Sequence, residues 1–372
     1  MPSAAWADDF YAVPSKLSRY KVGDLIKSEP VTELTRDLRG TSAMRVMYRS
    51  VNADGRPIGV TGIVFTPAEG GPSPGGWPLI AFTHGTTGVG DACAPSKHPN
   101  LYWDVYASLV GRLVRDGFVV VATDYEGLGT PGLHPWLELD SEARSAVHSV
   151  TAVRQLVRST STKWAVVGHS QGGHAALGTA ELATSLQAGD LTFVGAVSLA
   201  PGSHLADLAP LADAPDSGWD LLAYVAASIK ASAPDFDYAD ILVAPLLGEM
   251  ARAEVTCDIE LFDYFAATYR RLSGLRPDFL QQPNVAAWFE RNEPGRRPAR
   301  GPILLLQGAN DEFVPEFVTT DLATRLCANG DTVKYRVFAG ADHDQVIVRG
   351  YDDLLDWLRR RFAGEPAPST CP

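Results

Sequence analysis

Gly168-His169-Ser170-Gln171-Gly172 constrains this chain more than any other stretch, because an apolar run precedes it and a helical run follows it. Trp164-Ala165-Val166-Val167 reads as a buried strand, and Gly173-His174-Ala175-Ala176-Leu177 continues as a helix. A serine at the tip of so tight a strand-to-helix turn brings the two backbones close together. Side chains at 168, 172 or 173 would collide there, so glycine is a steric requirement at those positions. The spacing alone is weak, since 34 of 372 residues are glycine; its flanks give it weight.

The rest of the chain supplies the sheet that such a turn needs. Two alternating, β-branched runs around Asn52-Ala53-Asp54-Gly55 predict an antiparallel hairpin over 44–68. Strands then follow at 77–83, 118–124, 164–167, 195–200, 303–307 and 334–338, with helices at 103–116, 141–158, from 170 onward and at 351–362. Near-continuous apolar strands alternating with helices mean a mostly parallel sheet covered on both faces. Between the strands near 200 and 303 lies a segment rich in Ala, Leu and aromatics, among them Trp219, Tyr224, Phe265, Tyr269 and Trp288. It reads as an inserted helical cap over 203–299, dividing a core of 1–202 and 300–372.

Ser170 stands at a helix N-terminus, where unpaired backbone amides favour a developing negative charge. A serine hydroxyl attacks only when a base takes its proton, so one of the eight histidines must lie close. His343, in the loop between the last strand and the last helix, holds the right place at the carboxyl edge of the sheet. Its orienting acid should follow another strand, which points to Asp311 with Glu312 as runner-up. Asp342 and Asp344 flank His343 too closely to hold its ring from behind. For an oxyanion, the candidate donors are the amides of Gln171 and Thr86, with Gly85 and Thr87 as neighbours of the latter. His84 and His169 are expected to pack and hydrogen-bond locally.

Other chemistries are disfavoured. Gly127-Leu128-Gly129-Thr130-Pro131-Gly132 matches a dinucleotide fingerprint, yet Pro131, His134 and Pro135 obstruct the helix that should carry the pyrophosphate. No metal-ligand or nucleotide motif occurs, so no cofactor is implied. A balance of 32 basic and 44 acidic residues disfavours nucleic acid as a partner. No apolar stretch approaches the ~20 residues that cross a bilayer, so no integral membrane association is expected. Ala4-Ala5-Trp6-Ala7-Asp8 has the small-residue composition found around a signal cleavage site. The four cysteines show no metal spacing; pairing Cys327 with Cys371 would pin the tail and leave Cys93 for Cys257, with buried free thiols as the alternative.

Four segments carry a resemblance: Asp9-Phe10-Tyr11, the run from His84-Gly85-Thr86-Thr87 to Cys93-Ala94-Pro95-Ser96, Ala122-Thr123-Asp124-Tyr125-Glu126-Gly127, and the Ser170 turn. By these the chain resembles the secretory lipase family of α/β-hydrolases. The resemblance implies an α/β-hydrolase fold with a helical cap, carboxylic ester hydrolysis without a cofactor, secretion, disulfides, and a triad of Ser170, Asp311 and His343. The chain departs from some fungal members, which place Tyr and Gly where His169 and Gln171 stand. A peptidase or acyltransferase using the same triad, or a silent ligand-binding homologue, are the alternatives, and oligomeric state is not legible.

Overall fold

The computed structural model describes residues 8–72, 74–213, 219–269 and 272–372; the small-residue run at 4–7 lies outside them. Nine strands form one sheet: β1 (Leu25–Pro30), β2 (Thr41–Val51), β3 (Pro57–Pro67), β4 (Trp77–Thr83), β5 (Val119–Thr123), β6 (Thr160–His169), β7 (Thr192–Leu199), β8 (Ile303–Gly308) and β9 (Val333–Phe338). Their spatial order is β1-β2-β3-β5-β4-β6-β7-β8-β9. The expected hairpin is β2 with β3, antiparallel from Val51 opposite Pro57 to Thr41 opposite Pro67. From β5 to β9 every pairing is parallel. β1, which the sequence reading did not contain, adds antiparallel to β2.

Among the described residues the α-helices are α1 (Asp104–Arg115), α2 (Leu139–Leu156), α3 (Gln171–Leu186), α4 (Leu205–Ala212), α5 (Trp219–Ser232), α6 (Met250–Ala253), α7 (Asp258–Thr268), α8 (Pro283–Arg291), α9 (Glu316–Ala328), α10 (Gln345–Arg349) and α11 (Tyr351–Ala363). Alternate residues of each central strand face opposite layers. Ile80 and Phe82 of β4 pack with α1, α10 and α11, whereas Leu79 and Ala81 pack with α2, α3 and α9. Each such fully buried aliphatic side chain contributes roughly 1.5–3 kcal/mol, so the two layers fix the sheet from both sides.

Helices α4 to α8 lie between β7 and β8 and add no strand to the sheet. They have their own apolar cluster, including Trp219, Tyr224, Phe265 and Trp288, which closes onto Val89, Trp136 and Leu137 of the core. Glu293 clamps the base of this insertion by accepting the N–H groups of His204 and Leu205 at 2.9 and 3.1 Å, while Arg325 of α9 binds Glu293 at 2.5 Å. Disulfides join Cys93 to Cys257, tying the loop after β4 to the start of α7, and Cys327 to Cys371, tying the tail to α9. The tail also pairs with β9, since Thr370 N–H donates to Val333 O at 2.7 Å.

Candidate active site

β6 runs to His169 and α3 starts at Gln171, leaving Ser170 alone in the turn with φ 60° and ψ −121°. A non-glycine residue at positive φ costs of order 1–3 kcal/mol and persists only where its surroundings over-determine it. Here they do. Ser170 N–H donates to Leu199 O at 2.9 Å, and Ser170 O accepts the N–H of His174 at 3.0 Å. A Cβ on Gly168 would lie 1.9 Å from Gly172 O, and one on Gly172 would lie 1.9 Å from Thr83 O. The glycines are therefore the steric requirement that the sequence implied.

Asp311 follows β8 and His343 follows β9, and the two meet: His343 Nδ1–H donates to Asp311 Oδ2 at 2.7 Å. The same oxygen accepts Gln307 Nε2–H at 3.0 Å, while Oδ1 accepts the N–H groups of Phe313 and Val314 at 2.9 and 2.8 Å. Four donors on this buried carboxylate fix its plane. Glu312, the runner-up, is exposed and has no such contacts. Asp342 instead accepts Gln345 N–H at 2.8 Å.

His169 carries the serine turn to the histidine loop. Its Nε2–H donates to His343 O at 2.9 Å, and the two rings lie 4.5 Å apart. Its Nδ1 must then accept from Tyr106 O–H, at 3.0 Å. His169 was expected to bond locally; its partners come instead from α1 and from the far end of the chain. No hydrogen bond joins the Ser170 hydroxyl to His343 among the described residues. Such bonds commonly tighten only when substrate arrives.

The loop after β4 forms the other wall. Gly85 N–H donates to Tyr106 O–H at 3.1 Å, which leaves Gly85 engaged. Among the described residues the amides of Thr86, Thr87 and Gln171 have no protein acceptor. Trp103 Nε1–H donates to Thr86 O at 2.9 Å and Trp136 Nε1–H to Thr86 Oγ1 at 3.1 Å, so two indoles hold this residue in place.

Burial makes the nearby histidines weak bases. It pushes His84 down to about 4 and His134 to about 3, and holds His169 well below its ordinary value. His84 does bond locally, to Gly85 O at 2.6 Å. The glycine-rich loop at 127–132 opens no helix; the next one starts at Leu139. Its glycines take positive φ, and His134 beyond them reaches Gln171. Tyr106, His134 and Glu142 around the site were not foreseen, because each sits in an apolar or loop context whose partners lie elsewhere in the chain.

A nine-stranded, mostly parallel sheet with helices on both faces and a serine turn at its carboxyl edge defines an α/β-hydrolase. Residues 96–370 match the secretory lipase family, and the chain belongs to it. It is 24% identical to "Lipase A" of Arthroderma benhamiae over 93% of this chain and 75% of that protein. It is 25% identical to a "Probable inactive lipase" of Mycobacterium tuberculosis, over 96% of this chain and 82% of the other. Among solved structures it is similar to Candida antarctica lipase A in its closed state, with TM-score 0.82, 18% identity and coverage of 98% and 88% of the two chains. The rice cell wall degrading esterase LipA of Xanthomonas oryzae matches with TM-score 0.74, 19% identity and coverage of 91% and 99%.

Proposed function

We propose that the chain is a serine carboxylic-ester hydrolase acting on apolar acyl esters through an acyl-enzyme. The observation that carries this reading is the His343–Asp311 hydrogen bond beside the strained Ser170 turn. With Nδ1–H committed to Asp311, Nε2 of His343 is the nitrogen left to take the Ser170 proton. Ser170 Oγ attacks the ester carbonyl, and the amides of Gln171 and Thr86 receive the oxyanion. His343 then protonates the departing alkoxide and afterwards activates water for deacylation. Asp311 keeps the tautomer and balances the imidazolium charge. Residues 203–299 serve as a cap whose aromatic underside, near Trp136 and Tyr224, takes the apolar substrate. Family membership and two disulfides support a secreted protein.

Ser170→Ala should abolish hydrolysis of p-nitrophenyl esters while leaving the far-UV spectrum and melting temperature unchanged; full activity in this variant would overturn the assignment. The name of the Mycobacterium relative favours one second reading, a silent homologue that holds apolar ligands beneath the cap. Covalent labelling of Ser170 by a p-nitrophenyl phosphonate requires an activated nucleophile, so labelling argues for the hydrolase and its absence for the silent protein.

A further inference from the structure

Beneath the Ser170 turn runs a chain of buried polar groups that ester chemistry does not itself demand. Gln171, the first residue of α3, uses both amide hydrogens inward: Nε2 donates to Glu142 Oε1 on α2 at 2.7 Å and to His134 Nε2 at 2.7 Å. His134 can accept, because its Nδ1–H donates to Glu126 O at 2.9 Å and burial keeps the ring neutral. Glu142 is fully buried and also accepts Leu137 N–H at 3.0 Å and His174 Nδ1–H at 3.0 Å.

His174 faces acceptors on both sides, since its Nε2–H donates to Asn292 O at 2.8 Å. Both nitrogens therefore carry protons. Burial alone would lower its pKa, but the hydrogen bond and charge of Glu142 outweigh burial and raise it. Asn292 continues the chain toward the insertion: its side-chain amide donates to Glu138 at 3.2 Å, and Glu138 binds Arg291 of α8 at 3.0 Å and Ser232 of α5 at 3.0 Å.

A buried ion pair is weak evidence for stability, because well-packed apolar residues in its place are often neutral or better. The cost is raised further by Gln171 Oε1, which is buried without a donor. What the arrangement secures is geometry. Two ties from one side chain fix the first turn of α3, whose leading amide has no protein acceptor.

We propose that Glu142, anchored by His174, is a positioning residue for the Gln171 amide that receives the oxyanion. The inference rests on reading Ser170 as the nucleophile. An oxyanion exists only along the reaction path, so the effect falls on turnover rather than on substrate affinity.

Gln171→Met, Glu142→Leu and the double variant test this with p-nitrophenyl butyrate, folding being checked by melting temperature. Misplacing a donor rather than deleting it predicts about a tenfold loss in kcat for each single variant, with KM little changed. The double variant should lose no more than either single one, because both cut the same tie. Glu142→Gln, whose carbonyl oxygen can still accept from Gln171 and Leu137, should recover part of the loss. Additive losses, or a raised KM with kcat intact, overturn the proposal. Should Glu142→Leu fail to fold, Gln171→Met decides alone, and a wild-type kcat there overturns it. Wild-type turnover that Ser170→Ala matches would sink the esterase reading and this inference together, whereas Ser170-dependent turnover with an unaffected Gln171→Met sinks only the inference.

Discussion

His169 Nε2–H donates to the backbone carbonyl of His343 at 2.9 Å, across 174 positions of chain. With Tyr106 O–H on its other nitrogen, and Gly85 N–H on that hydroxyl, one imidazole spans the loops after β4, β6 and β9. The residue before Ser170 thus ties the serine turn to the histidine loop.

Replacing His169 by Phe keeps an aromatic ring, somewhat larger than imidazole, and removes both hydrogen bonds. Such a loosening of the site, about 1 Å or less, should lower kcat/KM by roughly ten- to a hundredfold. Steady-state kinetics at a temperature well below the melting point measure it; an unchanged value would show that packing alone holds the two loops.

Asp311→Asn leaves the four-donor pocket nearly isosteric but removes the negative charge that fixes the His343 tautomer. The loss in kcat should be on the order of 10³–10⁴, the scale for removing the acid of a Ser-His-Asp site. A drop under tenfold would move the orienting role elsewhere.

Phe313 lies 57% exposed, yet its ring sits 5.3 Å from that of His343. In the proposed mechanism His343 protonates the leaving oxygen, which would set this ring against the alcohol portion of the ester. Phe313→Ala should reduce kcat/KM for benzyl esters by about five- to tenfold more than for methyl esters of the same acid. Equal losses on both would place the ring outside the substrate path.

His148 is buried against Ser50 Oγ at 2.8 Å, and burial lowers its pKa to about 3. A lowered folded pKa stabilises the native state above the unfolded value near 6.5 and loses that contribution as pH falls toward 3. Unfolding free energy should therefore fall between pH 6.5 and 4, and His148→Gln should remove about one proton, or ~1.4 kcal/mol per pH unit, from that slope. Urea titrations across this range measure the slope, and an identical slope in the variant would contradict the assignment.

What the sequence made legible were features whose cause is local. β4 coincides with its apolar run at 77–83, and the Ser170 turn follows from glycines that nothing larger could replace. Asp311 and His343, which hydrogen-bond to each other, could be paired from the sequence because each lies in the loop just after a strand. β1 was not legible, because Leu25-Ile26-Lys27-Ser28-Glu29-Pro30 is an edge strand of mixed polarity, with Pro at its end. β6 starts earlier than its apolar part, since Thr160 to Lys163 take strand form by pairing with β7 and β4. Glu142 and His174 were invisible for another reason: a charge inside an apolar helix pattern declares no partner until two helices have packed. The same holds for His169, whose partners are separated from it by most of the chain.

The strand order has a consequence for synthesis. β7 is an interior strand whose outer neighbour, β8, is translated only after roughly a hundred further residues. At about 5–20 residues per second, the ribosome leaves that apolar edge without its partner for some 5–20 s. An unpaired edge of this kind is a template for intermolecular association. Until Ile303 has emerged that edge stays open, and any product terminated within the insertion should partition to aggregates.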